Sequence, residues 1–217
     1  MESRQYWNNK IIEWEDSMKK GIDVSLVERL ASRFRKPLKI RMEMCLSLLK
    51  NFGKNKKILE LGCGSGYFAF KLYKESKPKQ IIGMDISHNA IERAKEITKE
   101  LGLSKSIKFI EGDVSSINLP KSDITIGLGF LDYLNAEEIK TLFKNMKSNY
   151  FLFTFSEERF SILRILHIIY LISQKCPKHY YYKKENIRTL IGDKYSNVKI
   201  ISNSKLSFGC IIHNLPI

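Results

Sequence analysis

The stretch Ile58-Leu59-Glu60-Leu61-Gly62-Cys63-Gly64-Ser65-Gly66 runs from an apolar strand into a turn with glycine at every second position. A helical apolar pattern (Tyr67, Phe68, Phe70, Leu72) begins immediately after it. A strand that passes through a glycine turn into a helix is a building unit of an open α/β sheet, and its turn lies at the carboxyl end of a strand, where ligands bind. Glycine permits tight backbone dihedrals there and lets a ligand approach the amides with no Cβ in the way. A nucleotide-like ligand is therefore expected. The spacing narrows the choice. A dinucleotide fingerprint needs glycine at 67, where tyrosine stands, and a phosphate-cradling loop needs Gly-Lys-Ser/Thr, which is absent.

Three further segments follow in order. Gln80-Ile81-Ile82-Gly83-Met84-Asp85 is a short apolar strand closing on an acid 19 residues beyond Gly66, placed to accept from both hydroxyls of a ribose. Ile107-Lys108-Phe109-Ile110-Glu111-Gly112-Asp113-Val114 is a third strand that also ends in an acid, and Asp123-Ile124-Thr125-Ile126-Gly127-Leu128-Gly129 is a fourth. Taken with the glycine run, these segments resemble the class I S-adenosylmethionine (SAM)-dependent methyltransferases over residues 56 to about 155. The resemblance implies SAM as cofactor and S-adenosyl-L-homocysteine as its product. It also implies a cofactor site made of Glu60, Gly62, Cys63, Gly64 and Gly66 in the first motif and Asp85 with Ile86 at the ribose. Asp113 would serve the adenine amino group, the Val114 amide the ring, and Leu128 the methionine end.

Length and composition fit one such domain, since 217 residues with 43% hydrophobic content suffice to fill a single core. The net charge of +14 raises the question of nucleic acid. The basic residues, however, are mostly lysines scattered along every helix, as on a solvated surface, and no block of five like charges occurs. Cys45, Cys63, Cys176 and Cys210 lie far apart, without a Cys-x-x-Cys pair for zinc or redox chemistry. The segment Met1-Glu2-Ser3-Arg4-Gln5-Tyr6-Trp7 is polar and mixed in charge, unlike a signal peptide, so a reduced, cytoplasmic protein is expected.

The expected architecture is α/β: a three-layer sandwich around a seven-stranded, mostly parallel sheet with an antiparallel last strand and an N-terminal helical cap. The cap covers residues 1–50, with Trp14, Met18 and Ile22, then Leu26, Val27 and Leu30, then Met42, Cys45, Leu46 and Leu49 at helical spacing. Arg33, Arg35 and Arg41 lie on it, and any of them can meet a carboxylate in a bidentate pair. The core spans 51–217. In it, Ser87 is placed to cap one helix, and Asn135 with Glu138 to form a capping box on another. Tyr150–Phe155 reads as the fifth strand. The last two strands, 198–201 and 206–212, read as a hairpin joined by Ser202-Asn203-Ser204-Lys205. About 40 residues separate strands five and six, and a lid insertion is expected at about 156–187. Within it, residues 161–173 read as a helix buried on three sides, with Ser161, Arg164, His167, Leu171 and Gln174 as its narrower polar stripe. The segment is too short to span a bilayer but open to membrane-surface contact.

Methyl transfer from a sulfonium is an in-line displacement on an already activated carbon, so the protein mainly aligns donor and acceptor. An oxygen acceptor usually also requires a base. The Asp/Asn-Pro-Pro-aromatic motif for methylating base amines is absent after strand four, where Leu128-Gly129-Phe130-Leu131 stands, and no Pro-Cys nucleophile occurs. Both absences argue against nucleic acid as acceptor. Tyr133 and His179 are the catalytic candidates, with His88, His167 and His213 as further imidazoles. The expected function is methyl transfer to a small, apolar or aromatic acceptor. An RNA or protein methyltransferase, and a non-catalytic SAM-binding partner subunit, remain as alternatives.

Overall fold

A computed structural model describes residues 3–10, 26–114 and 118–217, with residues 26–35 given as backbone only. Trp14, Met18 and Ile22, and the side chains of Leu26, Val27, Leu30, Arg33 and Arg35, lie outside the described residues. Helix α1 covers residues 3–10 and α2 runs Leu26–Phe52. An alternating series follows: β1 (Lys57–Leu61), α3 (Tyr67–Ser76), β2 (Gln80–Asp85), α4 (His88–Glu100), β3 (Ile107–Glu111), β4 (Ile124–Gly127), α5 (Ala136–Asn145) and β5 (Tyr150–Ser156). The chain closes with α6 (Ile162–Ser173), α7 (Lys184–Ile191), β6 (Lys199–Ile201) and β7 (Gly209–His213).

The seven strands form one sheet in the order β3-β2-β1-β4-β5-β7-β6. All neighbours pair in parallel except β7, which runs antiparallel to both β5 and β6. Side chains alternate across the sheet with period two, and so split the core into two layers. Ile58, Ile81, Ile124 and Leu152 pack with Leu46 and Leu49 of α2, Leu72 of α3 and Ile91 of α4. Leu59, Leu61, Phe151 and Phe153 pack on the other face with Ile139 and Phe143 of α5 and Ile187 of α7. The expected three-layer arrangement is thus present.

Local capping agrees as well. The Ser87 hydroxyl accepts from Ala90 N at 3.2 Å, and Asn135 and Glu138 exchange both bonds of a capping box, at 2.9 and 2.6 Å. Two expectations are corrected. The last strands are joined by a longer link than four residues: Ser204–Leu206 form a 3-10 turn in which Asn203 Oδ1 accepts from Leu206 N at 3.2 Å as its cap, and Ser207 at φ 56° ends it. Leu206 is buried as a plug under the sheet rather than paired in a strand. The second correction concerns α6, which has no buried residue and turns its isoleucines outward. Its polar stripe faces the protein because His167 and Arg164 find partners there.

Candidate functional site

Strand order reverses between β1 and β4, and a cavity of about 640 Å³ opens at the carboxyl ends of the strands there. One half is walled by the turns after β1 to β4, with Gly62, Asp85, Ile86, Asp113, Val114 and Leu128 among its lining residues. Of the expected cofactor residues, these six reach the cavity. Glu60, Cys63, Gly64 and Gly66 do not line it. Glu60 is buried within β1, and the Cys63 thiol is buried and points to the Gly64 carbonyl at 3.5 Å.

The glycine turn is shaped from within the protein as much as by any ligand. Gly62, Gly64 and Gly66 have φ of 67°, 53° and 84°, the left-handed region that favours glycine. Gly62 N donates to Met84 O at 2.8 Å, and a Cβ on Gly62 would stand 2.8 Å from Phe130 Cδ2. Gly64 N donates to Asp85 Oδ2 at 2.9 Å, while Oδ1 of the same carboxylate accepts from Ser87 N at 2.9 Å. Asp85 therefore ties the first turn to the second through both of its oxygens, and it lies on the cavity. Burial pushes its pKa up, and the backbone amides at Ser87, Gly64 and Ile86 pull against that shift.

The second half is built from elements distant in sequence. Helix α1 lies over the opening with Tyr6, Trp7 and Lys10 on the cavity; Trp7 meets the Tyr133 ring edge-on at 4.8 Å. An Arg4–Glu111 ion pair and a bond from Asn89 Nδ2 to Asn8 O at 3.0 Å hold α1 there. The 3-10 turn Leu131–Tyr133 after β4 carries Asp132, whose Oδ1 accepts from Ser156 N at 2.6 Å and whose Oδ2 accepts from Ser156 Oγ at 3.1 Å. His179 Nε2 stands 4.0 Å from Asp132 Oδ2, both side chains being more than nine-tenths buried. His179 Nδ1 is buried without a hydrogen-bond partner among the described residues. His167 Nδ1 bonds the Tyr181 hydroxyl at 2.9 Å, and the two imidazoles stack edge-on at 5.1 Å. Arg41, buried, reaches in from α2 beside Gly129 and Gly209; a Cβ on Gly209 would stand 3.0 Å from its Nη1.

The electrostatics of this half follow from its burial. Desolvation, helped by the Arg41 charge, lowers His179 to about 4; burial, then His179 and Arg41, lower His167 to about 3. Burial raises Asp132 to about 6 against the pull of Arg41 and the Ser156 bonds, and it keeps the Tyr133 phenol protonated. At neutral pH the half therefore holds an ionised Asp132, an Arg41 cation and two uncharged imidazoles. Asp132 Oδ2 lies beyond hydrogen-bond reach of Nε2 at 4.0 Å, and Nδ1 has no partner among the described residues. Both catalytic candidates, Tyr133 and His179, thus line one cavity, with their rings 5.6 Å apart, while His88 is exposed on Glu111 and His213 is buried in β7. Sequence reasoning missed Asp132 as the carboxylate facing His179, and Ser156 and Phe208 as lining residues. An acid just after a strand end was the signal for Asp132; Phe208 gave none.

The methyltransferase-domain family model matches residues 52–190. A protein-lysine N-methyltransferase of Saccharomyces cerevisiae is 27% identical over 89 residues, 40% of this chain and 39% of that protein. A demethylmenaquinone methyltransferase of Bacteroides fragilis is 31% identical over 91 residues, 41% of this chain and 37% of its own length. The chain thus matches well under half the length of these curated relatives. Among solved structures, magnesium protoporphyrin IX methyltransferase (ChlM) from Synechocystis PCC 6803 with bound SAH has the same fold, at TM-score 0.71 and 19% identity, covering 97% of this chain and 96% of that one.

Proposed function

This chain belongs to the methyltransferase-domain family, and on that premise we propose that it moves a methyl group from SAM to an ionisable oxygen of a small, apolar or aromatic acceptor. The observation that carries this reading is His179: a buried, uncharged imidazole whose Nδ1 has no hydrogen-bond partner among the described residues, in the same cavity as the glycine turn. The first half of the cavity suits the cofactor. Gly62 has no Cβ beside the opening, and the Asp85 carboxylate lies on the cavity, where it would accept from the ribose hydroxyls. Asp113 and Val114 would meet the adenine, Leu128 the methionine end, and Arg41 its carboxylate. SAM supplies an activated methyl carbon on a sulfonium centre. The residues of the second half position the acceptor: Tyr133, Trp7 and Phe208 give aromatic walls that keep water from the reacting oxygen. His179 takes the acceptor proton on Nδ1, and ionised Asp132 stabilises the resulting imidazolium by its charge.

The test supplies labelled SAM to a panel of phenols, quinols, carboxylic acids and lysine peptides. Label is expected in an acidic, apolar member of the panel. His179→Gln should lower kcat by roughly 10²–10⁴ while SAM affinity in calorimetry stays within about twofold. Undiminished turnover in that variant, or label on peptides alone, overturns the reading.

A further inference from the structure

The outward face of α6 is apolar and uncovered. Ile162, Ile165, Ile168, Ile169 and Ile172 are 36–71% exposed, and Phe160 just ahead of the helix is 85% exposed. The opposite face, with Leu163, His167, Tyr170, Leu171 and Gln174, lines the cavity. None of the elements from α2 to β7 packs extensively on α6. A contiguous apolar face of this kind marks a surface that something covers.

Charge selects what covers it. Residues 159–184 contain six Arg and Lys and no Asp or Glu. Arg159 is engaged by Glu157 at 3.5 Å and Lys184 by the same carboxylate at 3.2 Å, but Lys175, Lys178 and Lys183 are exposed. With a net charge of +14, a second copy would bring like charge against this face, whereas an acidic plane complements it. The 12 residues of α6 rise only about 18 Å, short of the ~30 Å hydrocarbon core. Among the described residues no helix is long and apolar enough to cross a membrane. A short helix with one apolar face and neighbouring cations lies in the plane of a lipid interface.

We propose that α6 docks the protein on an anionic lipid bilayer, with its isoleucine face in the headgroup–acyl boundary and Lys175 and Lys183 against the headgroups. Because the other face of α6 lines the cavity, an acceptor dissolved in lipid would enter directly beside His179. That consequence rests on the methyltransferase reading; the docking does not.

Co-sedimentation tests the docking without any acceptor. The whole chain should pellet with vesicles of equal parts phosphatidylglycerol and phosphatidylcholine, and at least about tenfold less with phosphatidylcholine alone. The double variant Ile165→Asp/Ile169→Asp should lose about tenfold or more of that binding, with its melting temperature and SAM affinity retained. Lys175→Glu/Lys183→Glu should lose binding to the anionic vesicles while leaving the apolar face intact. A wild-type chain that stays in the supernatant, or either double variant pelleting like wild type, overturns the proposal. So does a lipid-free dimer in sedimentation equilibrium that the isoleucine pair abolishes, which would assign the face to a second copy.

Discussion

Gly66 holds φ 84°, and a Cβ there would lie 2.4 Å from Phe109 Cζ and 3.0 Å from Phe70 Cε2. Alanine at this position meets both left-handed strain and a buried ring, so Gly66→Ala is expected to cost about 2–3 kcal/mol in urea unfolding; a change under about 0.5 kcal/mol would remove this account of the glycine. The sequence pattern identified the residue but gave ligand approach as its reason, because Phe109 lies 43 positions downstream and only β3 packing brings it to the turn. Asp85 was readable from its place at a strand tip, and its double role was not. If it also takes the ribose hydroxyls, Asp85→Ala should weaken SAM binding by about 1.5–3 kcal/mol in calorimetry, since hydrogen bonds to a charged group are lost. Asp113→Ala should cost less, the adenine amino group being a single neutral partner; the reverse order would mean the two ends of the cofactor are interchanged.

The segment between β5 and β6 shows how neighbouring residues of one element part company. Tyr182 is 8% exposed, packs with the α5–α7 side of the core, and donates its hydroxyl to the Leu134 carbonyl. Tyr181 faces the other way, bonding His167 and lying under the Arg164 guanidinium at 5.3 Å. Tyr182→Ala should therefore cost about 3 kcal/mol of stability in a denaturant titration, as loss of a buried aromatic does. Tyr181→Ala should lower turnover while SAM affinity stays within about twofold. Equal effects of the two on stability would dissolve the distinction. His179 and Tyr181 meet on one side of this segment and Tyr180 and Tyr182 on the other, although only Tyr182 makes a β-bridge, so the run His179-Tyr180-Tyr181-Tyr182 could be recognised as an aromatic element from sequence but not sorted into wall and core. For α6 the apolar period was visible; which face it buries was set by the partners its polar stripe found in His179, Tyr181 and Phe208.

At the scale of the molecule, the buried imidazoles make stability depend on pH. His167 and His179 sit at about 3 and about 4 when folded against about 6.5 when unfolded, and burial lowers His213 in the same sense. As pH falls below about 6.5 the unfolded chain takes up protons that the folded chain refuses, so the stability these groups give is lost on acidification. Asp132, raised to about 6, and Asp85, also raised, act in the opposite direction by binding protons in the folded state first. Three imidazoles outweigh two carboxyls, and the urea midpoint should fall between about pH 7 and about pH 5, with His167→Gln flattening the slope; a rising midpoint would contradict the buried, uncharged assignment. Local chemistry made the strand and helix periods, the glycine turn, the caps at Ser87 and Asn135 and the antiparallel last strand readable from the chain. The second half of the cavity was legible only in part: Tyr133 and His179 stood out as candidates in the chain, but what surrounds them was set by tertiary structure. It joins Trp7, Arg41, Asp132, Ser156, His179 and Phe208, drawn from six separate segments. Contacts at such separations leave no period and no spacing in the chain, and form only when burial of the two core layers fixes how the elements dock.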